Sequence, residues 1–361
     1  MTFFPYLLCL SSLKDFALLL RNGKLMSRYT LCICSHFEGR VELFRDLIGD
    51  INFSRIVLSN SNPAIEFNSV KQSGEKLVLL VLGPLGHDAI KFLCDDYKKT
   101  TEERRTKWIH SISAGVDWYR LKELQAEING IPFTNGRGGF TSVLAEHVIY
   151  SMLYFNRKTW RLLASRAEHK WDPFNMIELR GQKMGILGYG DIGQATAKLA
   201  VAMGMEVTGV KRSAPTANVD ELGVHVVHGD AERDRVIRES DFVVNILPGT
   251  EETKEFFNKE RFAMMKPSAI FINIGRGITQ NEVDLVMALR NGVIAGAAVD
   301  VFAEEPLPAD SPIWEIDNDK ILVTNHSAFL SDGFKIKVAE WFVKCLKEFG
   351  TPEFEARCIR V

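Results

Sequence analysis

The segment Gly188-Tyr189-Gly190-Asp191-Ile192-Gly193 carries glycines at the spacing G-x-G-x-x-G. The pattern is informative here because of its setting. It follows the apolar run Met184–Leu187 and opens a helical pattern over Gln194–Met203, the strand–turn–helix order that a dinucleotide-binding turn requires. Gly188 permits the tight turn, Gly190 lets the backbone approach a pyrophosphate, and Gly193 lets helix and strand pack closely. The backbone N–H groups of the first helical turn, around Asp191 and Ile192, are then expected to face the phosphates. The following strand ends at Val210-Lys211-Arg212-Ser213. An NAD-binding chain places an acid there to accept the ribose 2′-OH, and no acid lies between Val207 and Ser213. A 2′-phosphate carries close to two negative charges, which a Lys–Arg pair suits. NADP(H) is therefore the favoured cofactor, with NAD(H) as the alternative.

These residues need a scaffold, and the chain is long enough for two domains: 361 residues at roughly 150 per domain. From Tyr29 to about Pro132 short apolar runs (TLCICS, RIVLS, KLVLLVLG, KWIHSISAG) alternate with helical patterns at Arg40–Ile48 and His87–Tyr97. A second block from Lys183 repeats the alternation with six runs: MGILG, MEVTGV, DFVVNIL, AIFINIG, VIAGAAVDVF and KILVTN. Apolar runs of this length without alternation read as strands covered on both faces, so the fold class is α/β with two doubly wound parallel sheets. Between the blocks, NGRGGFTS (135–142) reads as a linker. Thr141 or Ser142 is the expected cap of one long helix from about Val143 to Glu168. A last helix is expected over about Asp332–Phe349, and Glu282–Asn291 reads as a helix between strands. The mixed-sign run DDYKKTTEERRTK (95–107) reads as a solvated face.

Composition excludes several function classes. Lys+Arg is 44 against Asp+Glu 46, a net charge of −2, without the basic excess of a nucleic-acid binder. No run of 18 uncharged apolar residues is present, so no membrane-spanning helix is expected. Six cysteines are spread over positions 9, 32, 34, 94, 345 and 358, and Cys32 and Cys34 form C-x-C rather than a zinc-type C-x-x-C, so no metal is expected. Sparse cysteines fit reduced thiols in a reducing compartment, and the expected location is cytoplasmic. Residues 1–28 read as an extension outside the fold, with Met26 as the working start. An acid-poor organellar presequence over 1–25 is the alternative.

Read in order, SAGVD (113–117), GYGDIG, NILPGTEET (245–253), NIGRG (273–277), AAVDVFAEEPLP (297–308), SPIW (311–314) and TNHSA (324–328) resemble the D-isomer-specific 2-hydroxyacid dehydrogenase family. The likeness runs from about 29 to 348 and leans toward its glyoxylate/hydroxypyruvate reductases. It implies a catalytic set of Arg276, Glu305 and His326. In reduction of a 2-keto acid the His is the proton donor, the Glu holds the imidazole in its protonated form, and the Arg forks to the substrate carboxylate. Glu305 is preferred over its neighbour Glu304 by its spacing from Asp300 and by Pro306. The resemblance extends the cofactor contacts to Pro248, Thr253, Ile274 and Asp300, the last near the nicotinamide carboxamide. Two positions depart from the family pattern: Asn325 stands where Pro usually precedes the His, and Gln280-Asn281-Glu282 replaces the usual V-D-E.

The resemblance also implies an architecture and a substrate. The substrate domain is expected to be flavodoxin-like and discontinuous, residues 29–132 and 329–361, and the Rossmann cofactor domain 133–328. A catalytic cleft between them, closing on a hinge, and a homodimer arm in the 143–171 segment of the cofactor domain follow from the same likeness. Backbone N–H groups around Leu82-Gly83 and Ala114-Gly115 are the expected substrate contacts. Neither loop carries Arg or Lys, which weighs against a phosphorylated acid and favours a small 2-keto acid. Two alternatives stand beside this reading. One is a phenylpyruvate-type reductase with Trp118, Tyr119 and Trp314 lining a larger pocket. The other is a non-enzymatic, dinucleotide-sensing, corepressor-like protein.

Overall fold

A computed structural model of the chain describes residues 27–35 and 53–359. The expected helix at Arg40–Ile48 and nearly all of the N-terminal extension lie outside the described residues. Two compact units are present. Of the described residues, one comprises those up to Gly139 together with those from Asp332; the other is Phe140–Ser331.

Among the described residues the first unit is built on five parallel strands: β1 (Thr30–Ser35), β2 (Arg55–Ser59), β3 (Leu77–Leu82), β4 (Thr106–Ser111) and β5 (Phe133–Thr134), in the order β2-β1-β3-β4-β5. Every residue of β1 and β3 is buried, as continuous apolar runs require of central strands. Helix α1 (Leu85–Leu93) packs Ala89, Ile90 and Leu93 onto this sheet. It is shorter than the sequence pattern predicts, which extends the helix to Tyr97. Two residues of β5 are too few to show a period, yet they pair with Ile109 and His110 of β4 and so belong to this sheet. The C-terminal helix Phe334–Glu348 belongs to the same unit because Phe342 stacks on the buried Trp108, with ring centroids 5.2 Å apart. The charged run 95–107 is not a uniformly solvated face. Arg104 is buried and donates to the carbonyls of Asn129 (2.5 Å) and Glu127, and Arg105 pairs with Asp96 at 3.3 Å. Those charges tie the strand entry to the following loop instead of facing water.

The second unit opens with two helices, α2 (Thr141–Asn156) and α3 (Thr159–Ala167), where the sequence predicts one. The chain breaks at Lys158, whose φ is +49°, and Trp160 folds back onto Tyr154 and Phe155 at ring distances of 5.7 and 6.1 Å. Tertiary packing ends the helix where no Gly or Pro marks it. Neither Thr141 nor Ser142 caps α2: the N-cap is Phe140, with no side-chain bond.

Seven parallel strands follow: β6 (Lys183–Leu187), β7 (Glu206–Lys211), β8 (His225–His228), β9 (Phe242–Asn245), β10 (Ile270–Asn273), β11 (Gly296–Val299) and β12 (Ile321–Val323). Their order is β12-β11-β10-β9-β6-β7-β8, a doubly wound sheet whose winding reverses at β6 and β9. The strand absent from the sequence reading is β8. It sits at the sheet edge, so only Val226 of its four residues is buried and no apolar run announces it. Helix α4 (Asp191–Ala202) follows the glycine turn, and α5 (Glu282–Arg290) begins at Glu282, capped by Asn281 accepting from Asp284 N. No helix among the described residues is long and apolar enough to cross a membrane.

Candidate active site

In the second unit the candidate residues fall just past the carboxyl ends of successive parallel strands: the glycine turn after β6, Lys211 closing β7, Pro248 and Thr253 after β9, Ile274 and Arg276 after β10, Asp300 and Glu305 after β11, and His326 after β12. In a parallel sheet all these ends lie on one edge, the side on which doubly wound folds bind ligands.

The glycine turn fits a dinucleotide. Gly188 has φ +104°, and a Cβ there would stand 2.6 Å from the carbonyl oxygen of Ile246. Gly193 faces the carbonyl of Gly188 at a distance that would leave a Cβ 2.7 Å away. Gly190 is the N-cap of α4, and no side chain caps that helix, so a phosphate can take the capping role. Asp191 is exposed and Ile192 half-buried at the first turn, whereas the Tyr189 side chain is buried beneath it. Lys211 is half-buried; Arg212 and Ser213 are exposed. In the loop after β9, Thr253 Oγ1 donates to the carbonyl of Pro248 at 2.5 Å.

The other end of the sheet carries the Arg, Glu and His. The His326 ring meets Glu305 through Nδ1 and Oε2 at 2.7 Å, and the second carboxylate oxygen accepts from Phe302 N at 2.9 Å. Burial raises the Glu305 carboxyl, but the His326 bond, the Phe302 amide and the charges of His326 and Arg276 outweigh it and hold the group below its ordinary range. Glu304 is exposed, and Glu305 is the neighbour that meets His326. Arg276 Nη1 donates to Gly275 O at 2.7 Å, and Gly277 lets this turn lie directly against the next one: a Cβ on it would be 1.8 Å from the Phe302 carbonyl carbon. The close approach couples the Arg276 turn to the stretch that leads into Glu305.

Asp300 braces the His326 loop. It is buried, and its Oδ1 accepts from Thr324 Oγ1 (2.6 Å), Ser327 N (3.0 Å) and Ala328 N (3.2 Å), while its carbonyl accepts from His326 N (2.7 Å). The clamp holds His326 at φ +49°, a conformation that few non-glycine residues adopt. Asn325, standing where a proline would restrict the chain, is exposed, and Asp300 supplies the restraint instead.

Sequence reasoning missed the side chains behind this edge. Buried Asn245 donates to Thr279 Oγ1 at 2.6 Å. Buried Asn273 donates to Gln280 Oε1 at 3.0 Å, and Gln280 in turn reaches the carbonyl of Val301 at 3.3 Å. These amides fix the Arg276 turn. Their signal was an Asn ending each of two apolar runs, NILP and NIGRG, where a strand interior would otherwise reject a polar side chain. His147 of α2 was also missed. Its Nε2 lies 3.4 Å from Thr324 Oγ1, and burial pushes its pKa down against the opposing charge of Asp300.

The first unit holds the remaining candidates. Leu82 ends β3 and Gly83, at φ +78°, begins the turn into α1. Ala114 and Gly115 follow β4, and the Ala114 carbonyl accepts from Asn135 Nδ2 at 2.6 Å. Tyr119 does not line an open pocket. It is fully buried in the core of this unit, its hydroxyl 2.9 Å from Ser111 Oγ and 3.2 Å from the Val81 carbonyl. Trp314, in the second unit, is half exposed and donates to Pro308 O at 2.9 Å.

Comparison with known proteins shows which family the chain resembles. The family model described as "D-isomer specific 2-hydroxyacid dehydrogenase, NAD binding domain" matches residues 149–328. A glyoxylate reductase of Korarchaeum cryptofilum is 32% identical over 247 residues, covering 67% of this chain and 72% of that protein. Curated relatives at 33–34% identity also include D-3-phosphoglycerate dehydrogenases. Against the first curated relatives the matched stretch spans only 53–66% of their length. A crystal structure of a D-isomer specific 2-hydroxyacid dehydrogenase family protein from Aeromonas salmonicida is 30% identical with a TM-score of 0.70, covering 90% of this chain and 97% of that one. An NADPH-dependent glyoxylate/hydroxypyruvate reductase from Sinorhizobium meliloti, solved with NADP and sulfate, is 26% identical with a TM-score of 0.70, covering 90% of this chain and 96% of that one.

Proposed function

The chain belongs to the D-isomer specific 2-hydroxyacid dehydrogenase family, and from that footing we propose that it is an NAD(P)-dependent oxidoreductase. It reduces a small 2-keto acid of the glyoxylate or hydroxypyruvate type to the D-2-hydroxy acid and catalyses the reverse oxidation. The observation that carries the reading is the His326–Glu305 pair at 2.7 Å beside the Arg276 turn.

The nicotinamide supplies the hydride when the cofactor is bound. His326, held through Nδ1, carries the proton for the carbonyl oxygen on Nε2. Glu305 fixes the ring's tautomer and stabilises the imidazolium between turnovers. Arg276 holds the carboxylate with two parallel N–H bonds and polarises the adjoining carbonyl. Backbone N–H groups of Leu82-Gly83 and Ala114-Gly115 serve the substrate, and the lack of Arg or Lys in either loop favours an unphosphorylated acid. The glycine turn holds the pyrophosphate, Lys211, Arg212 and Ser213 receive the 2′-phosphate of NADP(H), and Pro248, Thr253 and Ile274 flank the cofactor. The likeness to a reductase solved with NADP supports that preference. Asp300 Oδ2, which among the described residues accepts a bond from Ala328 N at 3.3 Å, is the oxygen offered to the nicotinamide carboxamide.

A homodimer through the second unit is supported by exposed apolar side chains on α3 and the segment after it, Leu163, Trp171 and Ile177 among them. A cytoplasmic location is supported by the free thiols of Cys32, Cys34, Cys94, Cys345 and Cys358. The test is a panel of 2-keto acids with NADPH and NADH. Turnover of glyoxylate or hydroxypyruvate at about 1–1000 s⁻¹ is expected. Rates near background with every acid and both cofactors would overturn the proposal.

A further inference from the structure

The side chain at the centre of the glycine turn packs back onto β7. Tyr189 is buried, and its ring lies over Gly209 of β7, where a Cβ would be 2.3 Å away. Its hydroxyl donates to Asp220 Oδ2 at 2.5 Å. Asp220 belongs to the β7–β8 connection, which leaves the sheet immediately after Lys211, Arg212 and Ser213. Its other oxygen accepts from Leu222 N at 2.9 Å and Val224 N at 3.0 Å, and its own N–H donates to the Val224 carbonyl. The carboxylate is therefore locked, and the connection is latched to the glycine turn through Tyr189.

Lys211 lies on the same side. Side chains along a strand alternate, so residues 209 and 211 of β7 point to one face. Because the Tyr189 ring covers Gly209, the Lys211 side chain leaves β7 on the face that carries the ring and the carboxylate at its end. The electrostatics agree: burial raises the Asp220 carboxyl, but the Tyr189, Val224 and Leu222 donors, with the charge of Lys211, hold it below its ordinary range.

We propose that Asp220 is a specificity-determining residue for the cofactor, a fixed anion that weakens binding of a 2′-phosphate while leaving a 2′-hydroxyl nearly unaffected. It acts as a charge and not as a ribose ligand, because both of its oxygens already accept protein donors. It partly neutralises Lys211 and repels the phosphate's own charge. The lack of an acid at the end of β7 is thus partly made good by one from the following loop. The inference rests on the reading that Lys211 meets the 2′ substituent.

The experiment is equilibrium titration of the full chain with NADPH and with NADH, read by tryptophan quenching, for wild type, Asp220→Asn and Lys211→Met. Asp220→Asn keeps an oxygen for the two amides and removes the charge. Its Kd for NADPH should fall about 3- to 10-fold, with NADH within 2-fold, and the gain should shrink at high salt. Asp220→Ser, which also accepts from neighbouring amides, should shift the ratio the same way and replaces the Asn variant if that one does not fold. Glu221→Gln, an exposed neighbour, should leave the ratio unchanged. An unchanged NADPH/NADH ratio in the Asp220 variants, equal weakening of both cofactors, or a shift toward NADH would each overturn the inference. Lys211→Met separates the two failures. If it too leaves the ratio unchanged, the 2′-phosphate assignment itself is wrong; if it selectively weakens NADPH while the Asp220 variants change nothing, only the role of Asp220 is lost.

Discussion

Replacing Glu305 by Gln tests the proton-donor arrangement at one atom. Gln is nearly isosteric, and its amide oxygen can keep the 2.9 Å bond from Phe302 N, so the local backbone should hold. At Oε2 the change is sharp. A carboxylate that accepts from His326 Nδ1 at 2.7 Å becomes an amide NH₂ that donates. A donor there favours the neutral ring with Nδ1 as acceptor and removes the anion that stabilises the imidazolium. A charge-assisted hydrogen bond contributes about 1.5–3 kcal/mol. The pair is partly open to water, with side-chain exposures of 35% for His326 and 25% for Glu305, so the lower part of that range applies. About 1.5–2.5 kcal/mol corresponds to roughly a 10- to 70-fold fall in kcat for keto-acid reduction at neutral pH. The assay is steady-state reduction from about pH 5.5 to pH 9 with saturating cofactor. The deficit should shrink toward the acidic end, where solution protons replace the lost stabilisation, and cofactor Kd should stay within about 2-fold of wild type. A variant with kcat within 2-fold of wild type at neutral pH, or with a deficit independent of pH, would refute the assignment.

Three further outcomes are expected. Arg276→Lys keeps the charge but loses the fork, so KM for the keto acid should rise at least about 10-fold while KM for the cofactor changes little; equal effects on both would assign Arg276 to the dinucleotide. Gly277→Ala forces a Cβ into the Phe302 carbonyl and should cost about 3 kcal/mol in denaturant unfolding together with activity; a loss under about 1 kcal/mol would mean that the two turns are not held together as described. Glu282 Oε1 accepts from Ala303 N at 2.7 Å, and burial, reinforced by the charges of Glu305 and Glu304 against that amide, holds its carboxyl above the ordinary range. A raised carboxyl stabilises the fold below its unfolded pKa of about 4.3 and loses that contribution as pH rises through the folded value. The Tm of Glu282→Gln relative to wild type should therefore rise between about pH 4 and pH 7, and a pH-independent difference in Tm would contradict it.

Much of this protein is determined locally. Each central strand is a continuous apolar run, because a strand covered on both faces has no polar side to show, and TLCICS, LVLLVL and IFIN therefore announce themselves. The glycine turn is equally legible, since its conformation depends on side-chain absence at fixed positions. The Arg, Glu and His stand in short motifs beside strand ends and could be located by resemblance. What tertiary structure decided are features whose cause lies far along the chain. Edge strands β5 and β8 exist because a neighbouring ladder recruits them, although their own residues lack a period. The helix expected over 143–168 breaks at Lys158 because Trp160 finds Tyr154 and Phe155, an event no propensity at Asn156-Arg157-Lys158 encodes. Arg104 is buried because carbonyls some 25 residues away accept its charge. The acid near Lys211 is invisible in a search along β7, because Asp220 reaches that face only when the β7–β8 connection folds back onto the Tyr189 hydroxyl. Side-chain identity and spacing settle which groups are available for chemistry. Long-range packing and hydrogen bonding settle which of them meet, because a bond between distant residues leaves no periodic trace in either partner's own segment.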